Sequence, residues 1–288
     1  MNINAKTKVC GLIGYPIGHT MSPVIHNYLA AKYGHNLVYV PLQVENGKLE
    51  AAVKGADAYD FLGMNVTVPY KAEVLKHLTE IDSLAESIGA VNTLVRTEGG
   101  YKGYNTDMPG LYRAMLSDGM EIEDREVIIL GAGGVARAVA ILLLQKKAKK
   151  IHIMNRTIEK AQMIADEINQ KAGKDICTAY ELNGYKKLDK SCKYVAVQAT
   201  NVGMYPEIDN VVIEDTEFYQ MIEYGYDLIY NPVQTKFMQC VKNAGGKSFN
   251  GLKMLLYQGI IAYELWNGIS ITEETALEVY DKLKKELS

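Results

Sequence analysis

Apolar residues fall into short β-rich runs that alternate with helix-like stretches along most of this chain. Val9 to Ile13, Leu37 to Leu42 and Phe61 to Val68 read as strands, with helices expected after Ser22-Pro23, from about Lys48 and from near Pro69. Two more short strands are expected at Val91 to Arg96 and Tyr101 to Tyr104, and a helix from about Asp107 to Asp118. Alternation of this kind places helices over a largely parallel sheet, so the first part of the chain is expected to be an α/β domain. Pro23 and Pro69 both suit the first turn of a helix, where a missing amide costs little, and Ser22 suits the N-cap ahead of Pro23.

The pattern tightens at Val127-Ile128-Ile129-Leu130, which runs straight into Gly131-Ala132-Gly133-Gly134-Val135-Ala136. The first glycine allows a sharp turn out of the strand. The second lets a pyrophosphate approach the backbone, and the small Ala136 lets the following helix lie close to the sheet with its N-terminal amides facing phosphate. Arg137 to Leu144 supplies that helix, and Ile151-His152-Ile153-Met154 returns as a second strand at βαβ spacing. A doubly wound dinucleotide fold is therefore expected, with further strands at Tyr194 to Ala199 and Asp227 to Tyr230. Where such folds select the cofactor, at the end of the second strand, a carboxylate accepts the ribose hydroxyls and repels a phosphate. This chain has Asn155-Arg156-Thr157 there, whose guanidinium fork and hydroxyl suit a 2′-phosphate, so NADP is expected over NAD. Leu252 to Trp266 and Glu273 to Leu287 read as helices with no strand left to join. They are expected to return to the first lobe, giving a substrate domain of residues 1–107 and 252–288, a cofactor domain of residues 108–251, and a cleft between the two lobes.

Composition narrows the partners. The 288 residues are 48% hydrophobic and 23% charged, enough for two domains with proper cores, and the net charge of −3 gives no basic footprint for nucleic acid. Cys10, Cys177, Cys192 and Cys240 show no paired metal spacing and read as buried thiols in a reducing compartment. His19 and His26 have no third ligand nearby in sequence, so no metal is expected and caps or packing account for them. Met1 to Lys6 lacks the apolar segment of a secretory signal, and no run is long enough to span a bilayer, so a cytoplasmic protein with small-molecule partners is expected, as a monomer or homodimer.

Four polar clusters stand where loops meet strand or helix ends: Gly18 to Pro23, Asn65 to Lys71, Gly89 to Thr93, and Asn105-Thr106-Asp107. Their short donors and acceptors suit a hydroxylated ring bearing a carboxylate. With Gly131 to Ala136, Asn155-Arg156-Thr157, Tyr226 to Pro232 and Asn250 to Gly259, these clusters follow one another in the order found in the shikimate dehydrogenase family, which the chain resembles over nearly its whole length.

The resemblance implies an α/β substrate lobe, a Rossmann-type NADP lobe, and reversible NADP-dependent reduction of 3-dehydroshikimate to shikimate in aromatic amino acid biosynthesis. Carried over by motif, Lys71 and Asp107 are the catalytic pair, Thr67, Asn92 and Gln258 bind ring hydroxyls, Ser22 and Thr20 hold the carboxylate, and Tyr230 lines the pocket. Gly131, Ala132, Gly133, Gly134, Val135, Ala136, Asn155, Arg156, Thr157 and Gly251 form the cofactor set. Alcohol oxidation releases a proton along with the hydride, and a lysine, charged at neutral pH, is suited to return that proton during ketone reduction. The chain departs from the family in having Thr20 where serine is common and Gln198-Ala199-Thr200-Asn201 where Asn-Ala-Thr-Ser is usual. Thr20 keeps open a quinate/shikimate dehydrogenase, and a non-catalytic sensor is a third reading that the presence of both Lys71 and Asp107 opposes.

Overall fold

The computed structural model describes residues 3–18 and 20–287, so His19 lies outside the described residues. The chain forms two compact units, Met1–Leu111 with Leu255–Ser288, and Tyr112–Met254. In chain order the first unit holds β1 (Lys8–Gly14), α1 (Ser22–Tyr33), β2 (Leu37–Gln43), α2 (Leu49–Ala58), β3 (Gly63–Val66), β4 (Glu80–Ile81), α3 (Ser83–Ile88), β5 (Thr93–Thr97), β6 (Gly100–Tyr104) and the start of α4 (Asp107–Ser117). Its strands lie in the order β2-β1-β3-β5-β6-β4.

This sheet is mixed rather than largely parallel. β1 runs parallel to β2 and β3, but β5 pairs antiparallel with both β3 and β6. Gly99, at φ 81°, makes the tight β5–β6 turn that reverses the chain. The core beneath it joins Ile13, Met64, Val66 and Leu94 to Val53, Val74 and Tyr101. The chain's excess of tyrosine, 20 against 4 Phe, finds a use here. The buried Tyr70 and Tyr101 donate their hydroxyls to the Val44 and Phe61 carbonyls at 2.8 and 3.0 Å, filling the core while satisfying backbone groups that phenylalanine would leave unpaired.

Two local expectations are corrected. Ser22 is the first helical residue of α1, not its cap; Met21 holds the cap position without a side-chain bond, so the serine hydroxyl is not consumed there. Pro69 lies in a turn rather than at a helix start, and only a short 3-10 helix, Glu73–His77, follows. The Lys71 carbonyl accepts from the Val91 amide at 2.8 Å, which pins the segment across to the strand side and takes an acceptor that a helix would need.

The second unit contains β7 (Glu126–Leu130), α5 (Gly134–Gln145), β8 (Lys150–Met154), α6 (Ile158–Ala172), β9 (Cys177–Tyr180), β10 (Tyr194–Gln198), α7 (Thr216–Gln220), β11 (Ile222–Asp227), α8 (Lys236–Asn243) and β12 (Lys247–Phe249). Its order is β12-β11-β10-β7-β8-β9, with every pair parallel. This is the doubly wound dinucleotide arrangement, whose strand order reverses between β7 and β10 and opens a crevice at their C-terminal ends. Val127 to Leu130 are wholly buried, as a central parallel strand covered on both faces must be. β11 ends at Asp227, so Leu228 to Tyr230 form a loop, not the end of a strand.

The chain then enters α9 (Leu252–Asn267) and α10 (Glu273–Leu287). From Leu255 onward these helices belong to the first unit, where the Tyr28 hydroxyl of α1 donates to Glu278 of α10 at 2.6 Å and Trp266 donates to the Leu94 carbonyl of β5 at 2.9 Å. Among the described residues no helix is long and apolar enough to cross a membrane, and no cluster of side chains could hold a metal ion. Cys10 and Cys177 are buried free thiols, and burial raises both pKa values, that of Cys177 to about 12. Cys192 and Cys240 are only half-buried.

Candidate active site

The first unit gathers polar groups beside the C-terminal ends of β1 and β3. The Thr67 amide donates to the Ile13 carbonyl at 2.9 Å and the Thr67 methyl packs over Gly14, where a Cβ would fall 2.3 Å away. Tyr70 is anchored through its hydroxyl, so Lys71 projects from a segment held at both ends. Its Nζ donates to Asp107 Oδ2 at 2.7 Å. Asp107 opens α4, where unpaired backbone amides favour a negative charge. The two side chains remain 33% and 17% exposed, so a substrate oxygen can reach the pair.

Asn92 is almost wholly buried, and its neighbours determine which way its amide points. The Thr106 N–H lies 2.7 Å from one terminal atom, and a backbone amide can only donate, so that atom is Oδ1. Nδ2 takes no partner among the described residues and is the group left for a ligand. Gln258 is oriented in the opposite sense: Nε2 donates to the Leu255 carbonyl of its own helix at 2.9 Å, leaving Oε1 to accept. One residue thus offers a donor and the other an acceptor, as ring hydroxyls require. Gln258 packs on Gly110 of α4, one turn beyond Asp107. The Ser22 amide donates to Thr20 Oγ1 at 3.3 Å, which brings those two hydroxyl residues together.

In the second unit Gly131 has φ 109°, and a Cβ there would lie 2.7 Å from Thr200 Cγ2, so both conformation and space demand glycine. Gly133 and Gly134 have open space where a Cβ would stand, at the N-terminus of α5, and Ala136 is fully buried behind them. That cradle fits a pyrophosphate on helix amides. Asn155 Nδ2 donates to the Thr157 carbonyl at 2.9 Å, Thr157 caps α6 without using its hydroxyl, and Arg156 between them is exposed. These residues fit a ribose phosphate. Gly251 is buried, with its amide on the Ile229 carbonyl at 2.9 Å and its α-carbon against Leu228; it shapes the loop that carries the half-buried Tyr230. Burial raises the Tyr230 pKa.

Asp227 and Gln198 escaped sequence reasoning as site residues. Asp227 is fully buried; burial pushes its pKa up to about 6, opposed by donation from Thr235 Oγ1 at 2.6 Å and the Ile229 amide at 3.0 Å. Gln198 accepts from the Thr200 amide at 2.6 Å and donates to the Val202 carbonyl at 3.0 Å. Together they fix the loops leaving β10 and β11, next to the cradle.

A parallel sheet in dinucleotide order and, in the other unit, a solvent-reachable Lys–Asp pair among polar side chains fit a dinucleotide-dependent oxidoreductase. Residues 12–94 match the model of the shikimate dehydrogenase substrate-binding domain, and residues 114–190 that of shikimate/quinate 5-dehydrogenase. The shikimate dehydrogenase (NADP+) of Carboxydothermus hydrogenoformans is 43% identical over 270 residues, 94% of this chain and 95% of its own. That of Methanocaldococcus jannaschii is 41% identical over 284 residues, 98% of this chain and 100% of its own. A crystal structure of a shikimate dehydrogenase in complex with NADP+ superposes with a TM-score of 0.86 at 38% identity, covering 98% of this chain and 97% of that one. The chain belongs to the shikimate dehydrogenase family.

Proposed function

We propose that this protein catalyses the reversible, NADP-dependent reduction of 3-dehydroshikimate to shikimate, a step toward the aromatic amino acids. The observation that carries the reading is the Lys71–Asp107 pair, at 2.7 Å and open to solvent, in a chain whose relatives are NADP-linked shikimate dehydrogenases. In the reducing direction Lys71 gives a proton from Nζ to the substrate's carbonyl oxygen, which becomes the hydroxyl. In oxidation the neutral amine takes that proton back, and Asp107 Oδ2 holds Nζ in place throughout. When bound, NADP supplies the group that gives or accepts the hydride.

Thr20 and Ser22 hold the substrate carboxylate, while Thr67, Asn92 and Gln258 meet the ring hydroxyls. Gly131 to Ala136 receive the pyrophosphate, Asn155, Arg156 and Thr157 the 2′-phosphate ribose, and Gly251 supports the cofactor side. Residues 1–107 and 252–288 serve the substrate, and residues 108–251 the cofactor. Only small-molecule partners are required, and the cytoplasm is the compartment we assign. Lys71→Ala tests the reading: kcat is expected to fall about 10²- to 10⁴-fold, the range for loss of a general acid–base group, with a much smaller change in shikimate KM. Unchanged turnover overturns it.

A further inference from the structure

We propose that Thr93, wholly buried and out of reach of any substrate, is a positioning residue: it fixes Asn92 as a hydrogen-bond donor to the substrate and ties that donor to the first turn of α4. The inference rests on the assignment of Asn92 to the substrate site.

Thr93 opens β5 at the centre of the first sheet, opposite Asn65 of β3 on one side and Tyr104 of β6 on the other. Asn65 Nδ2 donates to the Asn92 carbonyl at 3.3 Å and to Thr93 Oγ1 at 3.0 Å, while Asn65 Oδ1 accepts the Tyr39 hydroxyl at 2.8 Å. The Asn65 amide therefore has only one workable orientation. With an N–H directed at it, the Thr93 oxygen is an acceptor, and its single proton is left to point toward Asn92 Oδ1 at 3.2 Å or Thr106 Oγ1 at 3.0 Å. The Thr106 hydroxyl donates to the same Oδ1 at 3.1 Å, beside the Thr106 amide at 2.7 Å.

Asn92 Oδ1 thus sits in a nest of donors. Turning the amide over would set Nδ2 against the Thr106 N–H, donor to donor, in a place closed to water. Asn92 is kept with its NH₂ free for a substrate oxygen. Thr106 immediately precedes Asp107, so the Thr106 N–H that orients Asn92 also ties Asn92 Oδ1 to the backbone from which the catalytic carboxylate extends. The side-chain polar atoms of Asn65, Thr93 and Thr106 are taken up by one another, by Tyr39 and by Asn92, which leaves the Asn92 NH₂ as the group of this network that faces a substrate.

The test is a double-mutant cycle between Thr93→Val and Asn92→Ala, read as shikimate kcat/KM with NADP saturating. Valine keeps the shape of threonine and removes the hydroxyl. Loss of one such bond should lower kcat/KM by about 5- to 10-fold, chiefly through shikimate KM, with NADP KM unchanged. Thr93→Ser should return it to within about twofold of the parent, and in an Asn92→Ala background Thr93→Val should cost less than about twofold more. Equal losses in both backgrounds, failure of serine to rescue, or a Thr93→Val enzyme matching the parent overturn the proposal. Should Thr93→Val fail to fold, Thr106→Val is required to show the same coupling to Asn92→Ala. An Asn92→Ala enzyme with parental shikimate KM contradicts the site assignment itself, a result separate from any failure of the coupling.

Discussion

Gly110→Ala is the substitution for which local preference and tertiary geometry disagree most clearly. In the interior of α4 an alanine is favoured over glycine by about 0.5–1 kcal/mol. At this position a Cβ would lie 2.6 Å from the Gln258 nitrogen, 2.9 Å from its Cα and 3.0 Å from its Cβ, none of which can swing aside. Ordinary contact begins near 3.4 Å, so α4 and α9 must part by about 0.8 Å. Overpacking of that kind costs about 1–3 kcal/mol, leaving a net loss of up to about 2.5 kcal/mol and a Tm lower by up to about 10 °C. The effect on catalysis is expected to be larger than the effect on stability. Asp107 and Gln258 stand on the two helices being separated, and a misplacement near 1 Å typically costs about 10²-fold in rate. Steady-state kinetics with shikimate should show kcat reduced about 10- to 100-fold, while NADP affinity by calorimetry stays within about twofold. A folded Gly110→Ala enzyme with parental kcat refutes the argument.

Two other perturbations probe different parts of the molecule. Arg156→Ala should raise NADP KM by about 10- to 100-fold, the value of a charge-assisted contact to phosphate, while NAD KM moves less than about twofold; equal effects on both cofactors remove the reading of Arg156. His26 is buried between Tyr39 and Trp266 with no hydrogen-bond partner on either ring nitrogen, and burial pushes its pKa down to about 3. The unfolded chain, with a histidine pKa near 6.5, binds the additional proton between about pH 6.5 and 3, so this contribution to stability is complete above pH 6.5 and falls as pH drops, by about 2 kcal/mol at pH 5. Urea midpoints of a His26→Phe variant should lose that part of the acid sensitivity; parallel pH curves for the two proteins contradict it.

The glycine turn was legible in the sequence because the steric demand at Gly131 excludes every other residue, and β7 because a strand covered on both faces must be apolar throughout. β11 was misplaced for the converse reason. The strand carries Glu223 and Gly225, which break the apolar pattern, yet Gly225 lies under Val241 and Phe237 of α8, where a Cβ would fall 2.7 Å from Val241 Cγ2. The partner helix supplies the bulk that the strand lacks, and only the fold reveals it. The mixed first sheet depends on two reversals, the connection that brings β5 back antiparallel to β3 and the Gly99 turn into β6, and apolar runs alone do not encode strand direction.

Lys71 and Asp107 are 36 residues apart, a spacing that carries no chemistry by itself, so the family motif identified the pair and the structure brought their atoms together. Thr93 and Thr106 stand inside polar clusters that assign them no role by sequence, because their function is to orient Asn92 and orientation cannot be read from a string of residues. Ser22 resembled a cap for the same reason: a serine ahead of a proline does not show which residue takes the first helical dihedrals.

The central claim is tested most directly by initial rates of cofactor reduction by the purified protein, with shikimate or quinate paired with NADP or NAD. The account predicts fast turnover with shikimate and NADP, and far slower turnover with the other three pairs. Comparable turnover with quinate or with NAD contradicts the assigned specificity, and no turnover with any pair contradicts the enzyme itself.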